Sequence, residues 1–325
     1  MPLVSVVIPA YRAAEHIRET LDSVFAQTYP NIEVVLVNDG SPDTEALEAA
    51  IRSYGDKLVY VRQENRGPSG ARNTAIRAAR GKYIACLDSD DLYLSEHVAR
   101  LVPLLEPGGF DLVYSDSDFV RDGVHVGRAF ERQSQNPPVT FEKLITEECG
   151  VTTSAMVASR QSMIDAGLFD EQYRRCEDFD LWSRMSFRGA RIGFLPEVGI
   201  VHRLLPDGLA ADSYLLKRAQ IEILKKIRRT LPVSPQQKTL IEEIIVRTEW
   251  LCQKDLVKRH LREGNYAEAR AAADQAATLS PDRKSHRMAL AVRIAPWAVR
   301  RFLALQDARL ARKTGRRTVS PVTAQ

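Results

Sequence analysis

The sequence predicts an α/β protein, a mostly parallel sheet with helices on both faces, followed by an all-α C-terminal region. Three observations carry that expectation. Short apolar runs rich in β-branched residues recur through the first third of the chain and alternate with helix-like stretches, the rhythm of successive β-α-β units. Most of those runs end in Pro, Gly, Asn or Asp, as strand ends that open onto a binding rim do. From about Ser213 onward strand signal all but vanishes, and helical stretches are punctuated by Pro232, Pro235, Pro281 and Pro296.

Taken in order, strands are expected at Val4–Ile8, Val34–Val37, Leu58–Val61, Tyr83–Leu87 and Leu112–Tyr114. Between the first three lie two amphipathic stretches. Glu15–Phe25 lines up Ile17, Leu21, Val24 and Phe25, and Thr44–Tyr54 lines up Leu47, Ile51 and Tyr54, as helices covering a sheet should. The parallel arrangement then brings Pro9-Ala10-Tyr11, Asn38-Asp39-Gly40-Ser41 and Asp88-Ser89-Asp90-Asp91 to one rim. Beyond Tyr114 the pattern loosens: an apolar run at Val151–Ala158, a turn at Ala166-Gly167, and a helix containing Phe179, Leu181, Trp182 and Met185. The C-terminal helices are expected at Tyr214–Leu231, Pro235–Arg262, Tyr266–Leu279 and Ala295–Lys313, with Glu263–Ala269 resembling the turn of a tetratricopeptide repeat but without a second copy. The polar residues from Thr314 onward read as a mobile tail.

Composition excludes several classes. The 325 residues are 44% hydrophobic and 27% charged, close to the globular average and unlike a disordered, collagenous or membrane-embedded chain. No apolar run is long enough to span a bilayer, and the N-terminal run reads as a strand, not a signal peptide. Cys86, Cys149, Cys176 and Cys252 form no C-x-x-C pair and read as reduced thiols of a cytoplasmic protein. The net charge of +4 conceals an asymmetry: residues 1–213 carry 22 basic and 32 acidic side chains, whereas residues 214–325 carry 24 and 10. An acidic half suits a metal cation, and a basic half suits either an anionic partner or plain solvation.

Asp88-Ser89-Asp90-Asp91 is the strongest local signal, because three carboxylates crowded after a hydrophobic strand repel one another unless a hard cation such as Mg²⁺ or Mn²⁺ neutralises them. An Asp-rich helix cap would look the same. In Glu64–Asn73 the glycines allow close backbone approach, and Arg72 can carry a cationic fork to a phosphate or a base edge.

Val6-Val7-Ile8-Pro9-Ala10-Tyr11, Val37-Asn38-Asp39-Gly40-Ser41, the Asn65–Asn73 stretch, Leu87–Asp91 and Cys176-Glu177-Asp178-Phe179-Asp180-Leu181-Trp182 occur in this order. Together they resemble a family 2 glycosyltransferase of the GT-A fold, inverting and non-processive, over roughly residues 3–205. The resemblance implies a GT-A domain over 1–212, with a nucleotide-sugar-binding half (1–115) and an acceptor half (116–212), then a helical region (213–313) and a tail (314–325). It implies that Pro9, Tyr11, Asp39, Arg72 and Asp88 bind the donor. Asp90 and Asp88 would hold Mn²⁺ or Mg²⁺, with Asp91 a further candidate, and Asp178 would be the catalytic base. Ring stacking by Tyr11 and hydrogen-bond acceptance by Asp39 suit a nucleotide base, although a core aromatic and a turn residue are the plainer readings of each. Glu177 and Asp180 compete with Asp178, and helix capping would account for all three.

The family often carries a Tyr-Arg-x-His segment after its last core strand, where this chain has His202 and Arg203 followed by Leu205. His202 is either a substitute ligand or a solvent-facing side chain. A Q-x-x-R-W segment, the mark of processive relatives, is absent from the sequence. The expected function is metal-dependent transfer of one sugar, of hexosyltransferase type, from a UDP, GDP or dTDP donor to the hydroxyl of a glycan or lipid-linked acceptor in surface-glycan assembly. The other reading is a catalytically silent nucleotide-sugar-binding or helical interaction protein. No nucleic-acid partner is expected. The last helix aligns Val299, Phe302, Leu303, Gln306 and Leu310 between Arg300, Arg301, Arg309 and Arg312. It reads either as a peripheral contact on the inner face of the plasma membrane or as a helix packed on its neighbours.

Overall fold

The computed structural model describes residues 1–106, 108–133, 135–205, 208, 212–280 and 283–314. It divides into two compact units, residues 1–208 and residues 209–320. Most of the tail expected to be mobile lies outside the described residues.

In the first unit, β1 (Val4–Ala10) pairs in parallel with β2 (Ile32–Asp39) and with β4 (Tyr83–Cys86), and β2 pairs in parallel with β3 (Leu58–Gln63). Val4, Val6, Val7, Ile8, Val35, Leu36 and Val37 are fully or almost fully buried, because helices cover both faces of these strands. One face carries α1 (Ile17–Phe25), α2 (Thr44–Ile51) and α4 (His97–Leu105), through Leu21, Leu47 and Leu101; the other carries α3 (Gly67–Ala78) and α8 (Glu177–Phe187), through Ile76 and Trp182, and the short helices α5 (Ala129–Arg132), α6 (Phe141–Ile145) and α7 (Arg160–Asp165) precede α8 in the chain.

Past β4 the sheet becomes mixed. Among the described residues it has nine strands, in the order β3-β2-β1-β4-β8-β6-β9-β5, with β7 paired to β6. Here β5 is Leu92–Tyr93, β6 Leu112–Arg121, β7 Val124–Arg128, β8 Met156–Ser159 and β9 Ile192–Arg203. β8 lies antiparallel between β4 and β6, β5 runs antiparallel to β9, and β9 lies parallel to β6. The β5–β9 pairing matters for the site, because it sets Leu92 opposite Val201 and so brings Asp91 beside His202 and Arg203.

Several local expectations change. The glycine-containing stretch opens α3, with Pro68 in its first turn, where a missing N–H costs no hydrogen bond. Phe25, expected on the buried face of α1, is 41% exposed and stacks on Tyr54 with ring centroids 5.4 Å apart. In the second unit, α9 (Ser213–Thr230), α10 (Pro235–Glu263) and α11 (Tyr266–Leu279) stand close to their expected positions. Asp212 caps α9, Ser234 and Gln237 form a capping box on α10, and Gly264 ends α10 at φ +86°. A helix that the pattern did not reveal, α12 (Arg283–Ile294), precedes α13 (Pro296–Thr314). Its apolar residues Met288, Leu290, Val292 and Ile294 alternate at a spacing of two, which hides a helix. Of the stripe on α13, Val299 and Leu303 pack against the α10–α11 core around Val257, Leu261 and Ala273, whereas Phe302 and Gln306 are exposed.

A buried carboxylate fixes the N-terminal ends of the parallel strands. Glu33 on β2 accepts from Ser5 Oγ on β1 (2.5 Å), from Arg80 N (2.6 Å) and Nε (2.8 Å), and from Gly81 N (3.2 Å) just before β4. Burial by itself would raise the Glu33 carboxyl, but the donors from Ser5 and Arg80 outweigh it and hold the group below its usual range. Its contribution is therefore present above the ordinary carboxylate range and is lost as pH falls through the depressed folded value. Glu33→Gln is expected to lower stability at neutral pH by about 1–3 kcal/mol, with the difference from wild type narrowing below about pH 4. Urea denaturation across pH checks this, and a difference independent of pH would refute it.

Candidate active site

The rim is built from the ends of β1, β2 and β4 together with the start of α8. Immediately after β1, Tyr11 is 47% exposed, which removes the core-aromatic reading; Pro9 is half-buried on the strand itself. The turn is stitched to the end of β2: Arg12 N donates to Ser41 Oγ (2.6 Å) and Ala14 N to Asp43 (3.0 Å). Asp39, the last residue of β2, is 2% exposed. Its Oδ1 accepts from Gln63 Nε2 (2.6 Å) and Arg66 N (2.9 Å), and its carbonyl accepts from Asn65 Nδ2 (2.9 Å). Gly40, at φ +62°, lies so close to Asn65 that a Cβ would stand 2.7 Å from Asn65 N. The end of β3 thus holds Asp39 in one orientation.

Arg72, expected to bind the donor, lies between two carboxylates. It is 5% exposed, and its fork joins two carboxylates: Nη2 to Asp88 Oδ1 (2.6 Å) and Nη1 to Glu177 Oε1 (2.5 Å). Burial disfavours its charge, but Asp88 and Glu177 together hold the guanidinium charged. Asp88 is in turn depressed: burial raises its carboxyl, and Arg72 overrides that. Glu177 stays raised, since burial and neighbouring Asp178 act against the lowering effect of Arg72.

The three aspartates after β4 meet three environments. Asp88 is half-buried and paired. Asp90 is half-buried, and burial, then Asp91, then Asp88, push its carboxyl up to about 7. Asp91 is fully buried, and both of its oxygens are engaged, Oδ2 by His202 Nδ1–H (2.9 Å) and Oδ1 by Arg203 N (3.0 Å). Asp91, a further candidate cation ligand, thus has both oxygens engaged through the β5–β9 pairing. His202 is not solvent-facing: burial opposes its charge, but the hydrogen-bonded Asp91 and the nearby Asp88 and Asp90 raise it to about 9, so it is protonated at neutral pH. Arg203 reaches Glu19 with its guanidinium.

Of the three carboxylates in the first turn of α8, two are occupied. Glu177 pairs with Arg72, and Asp180, fully buried, pairs with Arg184 (2.7 Å). Asp178 is half-buried, with Oδ2 accepting from Thr153 Oγ1 (2.8 Å) and Oδ1 from Phe179 N (2.7 Å). The neighbouring residue, Ser154, accepts from Asp88 N through Oγ (3.1 Å). One 3-10 turn, Thr153–Ala155, thus touches both Asp178 and Asp88. Sequence reasoning missed these two hydroxyls; the signal available was a polar interruption, Thr152-Thr153-Ser154, in the apolar run.

Among the described residues no cluster of three or more metal-ligating side chains forms. Asp90 and Asp88 nevertheless suit a hard divalent cation. Asp90 is half-buried at the strand end, where burial and the neighbouring carboxylates push its carboxyl up to about 7, a shift that a bound cation would reverse. Mg²⁺-type ions commonly take one or two protein carboxylates and complete their shell with substrate phosphates and water.

A mixed sheet with an acidic rim at the ends of its strands defines a class, the GT-A fold, and likeness to solved structures shows the same. TarS of S. aureus in complex with UDP-GlcNAc superimposes with a TM-score of 0.63 at 17% identity, over 90% of this chain and 87% of that one. The mannosyltransferase PcManGT from Pyrobaculum calidifontis in complex with GDP-Man and Mn²⁺ gives 0.62 at 21%, over 94% and 84%. Residues 5–167 match the model of Glycosyl transferase family 2, half of the chain, and the chain belongs to that family. An uncharacterized glycosyltransferase of Rickettsia bellii is 34% identical over 202 residues, which is 59% of this chain and 28% of the relative's length. The Escherichia coli UDP-Glc:alpha-D-GlcNAc-diphosphoundecaprenol beta-1,3-glucosyltransferase WfaP is 26% identical over 232 residues, 70% of this chain and 87% of that protein.

Removing the cation from this arrangement leaves Glu177 buried without its counter-ion. Arg72→Met is expected to lower stability by about 3–5 kcal/mol. Denaturant unfolding measures it, and a variant as stable as wild type would show that the double ion pair holds nothing together.

Proposed function

We propose that the protein transfers one sugar from a nucleotide diphosphate donor to an acceptor hydroxyl, with inversion at the anomeric carbon. The observation that carries this reading is the arginine bridge. Through Arg72 the donor-side carboxylate Asp88 and the start of α8 are held together, and α8 presents Asp178 as the first-turn carboxylate held by a hydroxyl and a backbone N–H instead of an arginine. On this reading Tyr11 stacks on the base and Asp39, fixed by Gln63 and Arg66, accepts from its N–H edge. Asp90 and Asp88 hold Mn²⁺ or Mg²⁺, which supplies Lewis-acid stabilisation of the charge developing on the departing diphosphate.

Asp178 takes the proton of the acceptor hydroxyl. The acceptor oxygen bonds to the anomeric carbon as the bond from that carbon to the β-phosphate oxygen breaks, and the nucleoside diphosphate leaves with the bonding pair. Thr153 keeps the Asp178 carboxylate in place, so it is a positioning residue. The donors named for the structural neighbours, UDP-GlcNAc and GDP-Man, support a nucleotide sugar as the ligand class. The name of the WfaP relative supports a lipid-diphosphate-linked sugar as the acceptor. The four free cysteines suit a reducing cytoplasm as the site of the reaction.

Donor turnover with a panel of UDP-, GDP- and dTDP-sugars, in Mn²⁺, Mg²⁺ or chelator, tests the proposal. Asp90→Asn and excess chelator are each expected to abolish turnover; full activity under either condition sinks the metal-bound donor. Asp178→Asn should reduce the rate by about 10²–10⁴ while donor affinity, read by thermal shift, stays near wild type. Thr153→Val should lower kcat with little change in donor KM, and Thr153→Ser should restore it. Donor binding without turnover for every sugar in the panel would favour a silent binding protein.

A further inference from the structure

Among the described residues, the large hydrophobic side chains more than half exposed are Met1, Leu290, Ile294, Trp297, Phe302 and Leu305, at 82%, 56%, 71%, 65%, 58% and 57%. Apart from the N-terminal methionine, all of them fall within sixteen consecutive residues of α12 and α13. Isolated exposed apolar residues are ordinary; a concentration of this kind marks a contact surface.

The inner face of α13 is already occupied. Val299 and Leu303 pack against the core that includes Val257, Leu261, Ala273 and Val292, so the exposed set is a second apolar face. Trp297, Arg301, Leu305 and Arg309 recur at intervals of four and form one row along the helix, with Phe302 beside it. The charge on these helices is almost entirely basic. Arg283–Thr314 holds nine basic residues and one acidic, and that acid, Asp307, is paired with Arg262 of α10 (3.0 Å). Arg293 is tied to Asp274 (2.9 Å), and Arg300 lies against the C-terminal end of α10 at Gly264, whereas Arg301 and Arg309 are exposed on the outward row.

We infer that this outward face of α12 and α13 lies on an anionic lipid surface, with Trp297, Phe302, Leu305 and Ile294 inserted at the headgroup boundary and Arg301 and Arg309 on lipid phosphates. Tryptophan and phenylalanine among arginines, with no free acid, is the composition of an interfacial helix. A second copy of the chain is a poor occupant, because a two-fold contact through this face would bring two basic surfaces together with no unpaired acid to offset them. The inference deepens the reading of a lipid-linked acceptor and rests on that reading for its purpose alone, since binding to vesicles is measured without donor or acceptor.

The test is flotation of the full chain with vesicles of phosphatidylcholine alone and with vesicles that also contain phosphatidylglycerol. Expected is binding to the anionic vesicles only, reversed by high salt. Arg301→Glu with Arg309→Glu should weaken it by about tenfold or more. Trp297→Ala with Leu305→Ala should also release the protein, with unchanged far-UV circular dichroism, unchanged thermal midpoint and unchanged donor turnover. No flotation with either vesicle, or wild-type flotation of both double variants, overturns the inference. So does a concentration-dependent dimer that Trp297→Ala with Leu305→Ala dissolves, because it assigns the face to a second copy. Vesicle binding by a chain that turns over no donor would sustain the surface while defeating the transferase reading.

Discussion

A buried guanidinium between two carboxylates organises the catalytic half of this protein. Arg72 projects from α3, Asp88 lies at the start of the loop after β4, and Glu177 opens α8, so a single side chain ties together three elements of the chain. Each charge is tolerated away from water because the other two are there. The consequence reaches beyond the three residues. With Glu177 held inward, the next residue on the helix, Asp178, is turned toward Thr153, and the turn that carries Thr153 also carries the Ser154 hydroxyl that receives Asp88 N. The two sides of the site are thus set by one network.

The acidic rim shows how strongly environment differentiates identical side chains. Asp88, Asp90 and Asp91 lie within four residues, yet one is an ion-pair partner, one is driven toward protonation by burial and by its neighbours, and one is locked by a protonated histidine and a backbone N–H. A carboxylate close to protonation at neutral pH is a poor structural group and a good place for a cation. The same logic separates Glu177, Asp178 and Asp180 on α8, where an arginine from α3 takes the first, an arginine one turn on takes the third, and the middle one keeps a hydroxyl and a backbone donor.

The helical unit solves a different problem. Beside the buried aliphatic side chains Ile221, Leu224, Ile227, Ile241 and Ile245 of α9 and α10, it has a cluster rich in alanine, around Ala269, Ala272, Ala273 and Ala276, which lets α10 and α11 approach closely. α13 closes that core with Val299 and Leu303 and still has large apolar residues left over. A helix with two apolar faces and almost entirely basic charge has more hydrophobic surface than its own unit can bury.

By itself the sequence determined the order of the parallel strands' residues, the helices α9, α10, α11 and α13, the family, and the identity of the carboxylates at the rim. These are legible because they rest on local periodicity, on caps such as Ser234 and Gly264, and on short motifs whose residues adjoin in sequence. It did not yield the antiparallel insertion of β8, since strand direction depends on pairing between distant segments. It sent Arg72 toward a ligand, left His202 undecided, kept Asp91 as a candidate ligand, and passed over Thr153 and Ser154. Each of those was decided by a partner between about 15 and about 110 positions away, Asp88 and Glu177 for Arg72 and Asp91 for His202. It also hid α12 behind an alternating pattern and merged the two faces of α13 into one stripe. Which apolar face is covered is fixed by the neighbouring helices, and whether a charge is free is fixed by what folding brings against it; both are properties of the packed chain and not of any segment read alone.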